Sequence, residues 1–474
     1  MNIDYLGFIE EAEKLSETIY EQVYDNQPVL VLGHNDADGI TATAITAKIL
    51  YRAGVKFHAR IVRRLDASEL EKASSSGRMT VLCDMGSGYL HLLSKYSWSN
   101  GLVILDHHKP EVAEPPSNSI HINPHLYGVD GESEVSGAGV AYITLKGFPR
   151  IDYRDLSTLA IVGALGDMQD VDVGRSLKGM NKFIVDEAEK GGYISVQKDL
   201  LLPGRESRPL HIALASLVNP FIPGLSGDEE ACISFLSKLG ISLKESGRWR
   251  TPSDLSKEEK QLLFNELLRY LAENDYPTST LKNLIGTSYI LQKEKRFSYM
   301  RDAREYASLL NACSRMGLHG LALTIAMGDR RVNVVGEAER IYGEYRRKIS
   351  SYIRAITSEA GRIISMGRFY LVRCLDLVEE DMLSVVASII AESYLADKGM
   401  PVIAISEAAG GEVKVSARLP RSSKGQTVDL GLLMRRAAGR VGGEGGGHSV
   451  AAGAYIPKDR IEDFIATLVE EVGR

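Results

Sequence analysis

Three short apolar runs, PVLVLG at 28–33, MTVLCD at 79–84 and GLVILD at 101–106, each lead into carboxylates or imidazoles. Continuous apolar runs of this length, without alternation, read as strands buried on both faces of a parallel sheet. The first leads into His34-Asn35-Asp36-Ala37-Asp38-Gly39, the second into Asp84-Met85-Gly86-Ser87, and the third ends in Asp106-His107-His108. ITATAITAKILYRAG follows the first strand as a helix that Gly54 can terminate. LSTLAIVGALGDMQD at 156–170 is apolar all round and reads as a buried helix carrying Asp167 and Asp170. This βαβ rhythm predicts a doubly wound α/β domain. Ligands of an open parallel sheet bind beyond the carboxyl ends of its strands, so these clusters are expected to converge on one crevice.

A chain of 474 residues is too long for one core. Its pattern divides into an α/β domain at 1–195, a mostly helical insert or linker at 196–295, and a smaller C-terminal α/β domain at 296–474. The last opens with helical RDAREYASLLNACSRMG and a long charged helix, followed by strand-like FYLVRCLD, PVIAISEA and EVKVSARLP. The net charge of −6 argues against bulk electrostatic binding to duplex nucleic acid and leaves room for a local basic groove. Four widely spaced cysteines with no CxxC pair indicate neither a disulfide framework nor a cysteine zinc site, which fits a reducing cytoplasm. The N-terminus is acidic and helix-like rather than a signal peptide, and no apolar run is long enough to span a bilayer.

Taken singly, an Asp after a strand is as often a helix cap or turn residue as a ligand. Four such clusters at the ends of strands and a buried helix are another matter. Crowded carboxylates and imidazoles repel one another or desolvate badly unless cations hold them. A mixed His/Asp set without cysteine suits Mn2+, Mg2+ or a similar divalent ion. Several aspartates point to two ions, roughly 3.5–4 Å apart, sharing a carboxylate, an arrangement suited to phosphoester hydrolysis.

HNDADG, Asp84 in CDMGS, DHH and GDMQD resemble, in order, the four signature motifs of the DHH phosphoesterase superfamily. The resemblance implies that His34 and Asp36 hold one metal, that Asp38, His107 and Asp167 hold the other, and that Asp84 bridges them. Asp106 is implied to orient the DHH turn, and His108 to lie beside the scissile phosphate. Asp36, Asp84 and His108 are then the residues nearest the chemistry. Bacterial RecJ enzymes usually carry Asp at the position of His34.

In the second half, GGEGGGH at 442–448 is by itself a flexible loop or an anion cradle of backbone N–H groups. It resembles the GGGH motif of the DHH-associated C-terminal domain, which implies substrate binding by Gly445, Gly446, Gly447 and His448 across a cleft from the metals. VKVSARLP resembles that domain's strand, with Ser416 and Arg418 facing substrate, and LLNACSRMG resembles the LNAxGR motif of RecJ-type nucleases, with Asn311 and Arg315 as substrate contacts. Lys414, Arg418, Arg421, Lys424, Arg435, Arg436 and Arg440 form a locally basic stretch that fits a funnel for a single strand. Tyr306 and Tyr455 read as packing residues. Taken over nearly the whole length, the chain looks like the archaeal RecJ-like subgroup that includes the GINS-associated nuclease. That implies a manganese-dependent exonuclease on single-stranded DNA or RNA with a replisome link through GINS. Two alternatives stay open. One is a small-substrate phosphodiesterase acting on nanoRNA, 3′-phosphoadenosine phosphate or a cyclic dinucleotide; the other is a replisome scaffold with little catalysis.

Overall fold

A computed structural model describes residues 3–26, 28–170, 174–217, 222–274, 281, 284–420 and 428–472. Its elements pack as two units, Met1–Ser216 with Gly227–Tyr342, and Leu217–Ser226 with Gly343–Arg474.

The first unit is built on β1 (Val29–His34), β2 (Phe57–Val62), β3 (Thr80–Cys83), β4 (Leu102–Leu105) and β5 (Ser119–Ile122). They form a sheet in the order β2-β1-β3-β4-β5, with every neighbouring pair parallel. The three strands expected from their apolar runs are the inner ones. FHARIV and SIHI, which form β2 and β5, went unread because edge strands are only half-buried and keep polar residues. The connection order reverses between β1 and β3, which makes the carboxyl ends of these two strands the topological switch point.

Helices cover both faces: α1 (Tyr5–Asp25), α2 (Ala37–Arg52), α3 (Ala67–Ser74), α4 (Leu90–Leu93), α5 (Gly137–Leu145), α6 (Ser157–Gly166) and α7 (Gly179–Lys190). Helices α2 and α5 lie on one face and α6 packs on both. Helices α3 and α4 close the other over Leu30, Leu32, Leu82, Trp98 and Ile104. Helix α2 is buried nearly all round. Its threonines are tolerated there because Thr41, Thr43 and Thr46 donate to the carbonyls of Ala37, Gly39 and Ala42 one turn back.

The segment expected as a helical insert does contain α8 (Leu210–Ala215), α9 (Glu229–Lys238) and α10 (Lys257–Glu273). It is also bracketed by two antiparallel strands, β6 (Ile194–Leu200) and β9 (Ile285–Leu291), and carries a small hairpin of β7 (Lys244–Glu245) and β8 (Arg248–Trp249). The expected domain boundary at 296 moves. Helix α11 (Ala303–Arg315) packs on α6 and α2, and α12 (His319–Ala326) packs on α2 and β2. The apolar face of α11, including Ala303, Tyr306, Ala307 and Leu310, is buried against the first unit. The division between the two units falls at Tyr342 and Gly343, within the range of the long helix α13 (Val332–Ser358).

The second unit is a mixed sheet of β10 (Ile363–Ser365), β11 (Tyr370–Arg373), β12 (Val402–Glu407), β13 (Glu412–Arg418), β14 (Glu444–Gly447) and β15 (Ala451–Pro457), ordered β10-β11-β12-β13-β15-β14. Helix α14 (Leu383–Ile389) packs on β12 and β13, while α15 (Leu430–Arg440) and α16 (Ile461–Val472) bury the main core of this unit. Among the described residues, no helix is long and apolar enough to cross a membrane. All four cysteines are buried, and none forms a disulfide.

Candidate metal centre

Each expected ligand of the first unit sits at the end of an element that aims it at the switch point. His34 ends β1, and Asp36 caps α2 by accepting from Gly39 N at 2.9 Å. Asp38, in the first turn of α2, is buried and accepts from Gly137 N at 2.7 Å and Ala138 N at 3.0 Å, the first amides of α5. Those amides carry the positive end of the helix dipole, so they hold the carboxylate in place. Asp84 follows β3 with φ of 61°, a left-handed conformation that Asp tolerates better than most residues. Its N–H continues the ladder to Leu105 O at 2.8 Å. Asp167 caps the C-terminus of α6.

Asp106, expected to orient the DHH turn, directly follows β4. Its carboxylate accepts from Ser87 N at 2.8 Å, His107 N at 2.8 Å and His108 N at 3.2 Å, which fixes the turn after β4. It also meets His108 Nδ1 at 2.8 Å. Although burial pushes the other way, the two imidazoles and the Ser87 N–H hold its carboxyl below the ordinary carboxylate range.

The donors fall into two main groups. His34, Asp36 and Asp84 each offer an atom within 4.8 Å of the others, and so do Asp38, His107 and Asp167. Asp84 faces both: Oδ2 lies 3.6 Å from His34 Nδ1, and Oδ1 lies 3.1 Å from His107 Nε2. A third overlapping group joins Asp84 to His107 and His108. All six expected ligands are therefore gathered in one place.

These residues fit divalent cations. His107 Nδ1 is 2.7 Å from Gly131 O, a carbonyl that can only accept, so Nδ1 carries the proton. In the neutral ring Nε2 is then a lone pair, pointed at the Asp84 carboxylate. Asp84 Oδ1 is buried with no hydrogen-bond donor. Two acceptors this close are stable only with a positive charge between or beside them. The acid–base balance says the same. Burial and the Asp84 charge raise the Asp38 carboxyl well above its ordinary range, and burial also raises Asp167. Burial opposes charge on His34 and His107, yet the surrounding carboxylates raise both well above the usual imidazole value. All four shifts mark a cluster that favours added positive charge, which divalent ions would supply in place of protons.

Four supporting residues escaped the sequence reading. Gln169 Nε2 lies 2.7 Å from Gly131 O and 2.9 Å from Asp167 Oδ2, and its Oε1 accepts from Asn181 at 2.6 Å. Gly131 passes so close to the DHH turn that a Cβ would meet His107 O at 1.9 Å. A Cβ on Gly137 would meet Asp84 Cβ and Oδ1 at 2.7 Å. The glycines at 131 and 137 lie in an otherwise unremarked loop and helix start, and only the fold brings them to the ligands. Asp170, by contrast, takes no part in the cluster. It is buried and paired with Arg304 and with Arg175, the latter at 3.2 Å.

The residues expected to contact substrate are distributed differently. Asn311 Oδ1 accepts from Ala37 N at 2.9 Å, and Ser314 donates to Asn35 O at 2.6 Å, so α11 braces the HNDAD turn. Arg315 is half-buried at the end of α11. In the second unit, Ser416 is buried and Arg418 turns inward to Ser388 Oγ, Ala417 O and Ala452 O. Helix α14 packs on this strand. Gly445, Gly446 and Gly447 form an edge strand, β14, and not a loop. Gly445 is required by packing, since a Cβ there would meet Met434 O of α15 at 2.4 Å. His448, half-buried, donates its N–H to Ala451 O at 2.8 Å. The basic stretch is partly spent within the unit. Arg440 pairs with Glu470 and Glu471, Arg436 lies 4.0 Å from Glu471, and Lys414 sits over the Tyr455 ring. Arg421 and Lys424 lie outside the described residues. Tyr306 is a packing residue, buried and donating to Ile325 O, and Tyr455 donates to Glu380.

Three family models match the chain in order. They are the DHH family, N-terminal domain, over 28–164; the DHH-CID domain over 202–285; and the DHHA1 domain over 367–474. An uncharacterized protein of Methanocaldococcus jannaschii is 29% identical over 472 residues, 98% of each chain. The single-stranded-DNA-specific exonuclease RecJ of Thermus thermophilus is 29% identical over 200 residues, 38% of this chain and 27% of that protein. The fold is similar to the crystal structure of Thermus thermophilus RecJ in complex with Mn2+, with TM-score 0.60 and 18% identity, covering 100% of this chain and 56% of that one. It is also similar to CDC45 from Entamoeba histolytica, with TM-score 0.63 and 12% identity over 98% of this chain and 99% of that one. The chain thus spans about half of the RecJ structure it matches. The ordered domain models, the RecJ likeness in sequence and the shared fold agree that this chain belongs to the DHH superfamily as a RecJ-like member.

Proposed function

We propose that this chain is a manganese-dependent exonuclease that hydrolyses phosphodiester bonds of single-stranded nucleic acid. The observation that carries the reading is Asp84, whose two oxygens face two separate donor groups, His34 with Asp36 and His107 with Asp38 and Asp167. A shared carboxylate between two donor sets is what a pair of ions requires. Imidazole in both sets favours Mn2+ over Mg2+. When bound, such ions supply the charge that activates water and stabilises the phosphoryl oxygens. The chain does the rest. Asp36, Asp38, Asp84 and Asp167 fix where that charge lies, and Asp106 aligns His107 and His108. The His108 side chain is 38% exposed, with Nδ1 held by Asp106 and Nε2 at the far end of the ring. Burial opposes charge on this imidazole, but the Asp106 carboxylate raises its pKa, so the ring can carry the proton that a departing oxygen needs.

The single-strand substrate is supported by the 200-residue likeness to RecJ, whose name states that specificity. The test is a length series from dinucleotides to long single strands, DNA and RNA, with Mn2+. Preferential hydrolysis of the long strands is expected; preference for dinucleotides would move the function to a small-substrate phosphodiesterase. A replisome contact through GINS belongs to the same reading. The likeness to CDC45 is one of fold alone, and co-elution with purified GINS is its test.

A further inference from the structure

Gln169 is buried, and its amide reaches the supports of all three residues in one donor group. Nε2 lies 2.9 Å from Asp167 Oδ2, so it touches that ligand directly. It lies 2.7 Å from Gly131 O, the same carbonyl that meets His107 Nδ1 at 2.7 Å. It lies 3.2 Å from Val135 O, one residue before Ser136, which caps the helix whose first amides hold Asp38. An amide nitrogen has two protons, so the longest of the three contacts is shared.

Which way the Gln169 amide points is itself determined. Asn181 Nδ2 donates to Gln169 Oε1 at 2.6 Å, and Asn181 N donates to Glu134 O at 2.8 Å, which pins Asn181 beside the same loop. Asn181 and Gln169 are each 2% exposed, so water does not compete for these bonds. With Oε1 committed to Asn181, Nε2 must face Asp167 and Gly131.

We infer that Asn181 and Gln169 form a positioning relay that sets the Asp38–His107–Asp167 metal position. The relay rests on the metal-centre reading but not on the choice of substrate. It does three things. It keeps the Gly131 carbonyl where it selects the His107 tautomer with Nε2 toward the ligand cluster. It donates to Asp167 Oδ2, the oxygen that lies 3.9 Å from His107 Nε2, and so fixes that carboxylate within the group. It ties the 131–135 loop to the end of α6. Among the described residues, neither amide hydrogen-bonds to His34 or Asp36.

The test is calorimetric titration of Mn2+ into the metal-free full-length protein, with no substrate present. Two variants break the relay differently. Gln169→Leu removes the donors. Asn181→Asp leaves Gln169 in place but presents a carboxylate to its Oε1, which favours the flipped amide and turns a carbonyl oxygen toward Asp167. Supports of this kind are worth about 10- to 100-fold in metal affinity. The expected result is a loss of that size at one of two Mn2+ positions in both variants. The other position, and the melting temperature of the metal-free protein, should stay near wild type. Two Mn2+ positions of wild-type affinity in both variants would overturn the relay. So would equal weakening of both positions together with a lowered metal-free melting temperature, the sign of general structural damage. Absence of Mn2+ uptake by the wild-type protein would instead remove the metal centre on which the relay depends.

Discussion

Gly137→Ala tests how tightly the second donor group is built. The added Cβ would sit 2.7 Å from both Cβ and Oδ1 of Asp84. An ordinary contact begins at 3.4 Å, so about 0.7 Å of movement is needed. Neither partner yields freely. Asp84 is held at φ 61° with its N–H on Leu105 O, and the start of α5 is held by the Asp38 carboxylate. Overpacking of this kind costs about 1–3 kcal/mol, partly offset by the better helix propensity of alanine. The catalytic effect should be larger, because a misplacement of about 1 Å at a reacting group can cost about 100-fold in rate. The assay is single-strand hydrolysis with Mn2+, beside melting curves with and without the metal. We expect kcat/KM to fall by about two orders of magnitude and the Mn2+-induced rise in Tm to shrink, with a modest change in metal-free Tm. Gly88→Ala is the control, since a Cβ there meets nothing within 4 Å. Wild-type turnover and a wild-type Mn2+ response in Gly137→Ala would refute the geometry.

Asp170→Asn should destabilise the fold, because it strands two arginines; breaking a buried pair costs about 3–5 kcal/mol. Burial opposes ionisation of Asp170, but Arg304 and Arg175 hold its carboxyl below the ordinary value. A lowered folded-state pKa contributes stability that is present above the unfolded value and lost as pH falls, so urea unfolding should show the gap between wild type and variant narrowing below about pH 4. His108→Ala should cut kcat by about 10²- to 10⁴-fold while leaving Mn2+ affinity near wild type, since His108 is held by Asp106 outside the two main donor groups. Chelation should lower Tm, and Mn2+ at about 100 times its Kd should restore about 2.7 kcal/mol per ion, read by calorimetric melting.

The donor cluster was legible in the sequence because its residues lie at the ends of elements whose periodicity is strong. His34, Asp84 and Asp106 sit at or just beyond the ends of the inner strands, and Asp167 ends a helix apolar all round. The supports were not legible, because Gly131, Gly137 and Asn181 carry no local signal, and Gln169, although it lies inside GDMQD, acquires its role only through contacts across the fold. Asn311 was read as a substrate contact; in the fold its oxygen accepts from Ala37 N. The C-terminal unit was misread where cations were counted without their partners. Glu470 and Glu471 lie about thirty residues beyond Arg436 and Arg440 in the sequence, and only the packing of α15 on α16 brings them together. The glycine run looked like a loop because glycines rarely build a strand. Here, close approach of α15 at Gly445 leaves no room for a side chain.

The most direct test of the central claim is product release from end-labelled single-stranded DNA and RNA with Mn2+, for wild type beside Asp84→Asn. Asp84 faces both donor groups, so its loss should separate them. We expect Mn2+-dependent hydrolysis by the wild-type protein, abolished by EDTA and reduced at least about 1,000-fold in the variant. Undiminished hydrolysis by Asp84→Asn, or hydrolysis by the wild type that EDTA leaves intact, would contradict it.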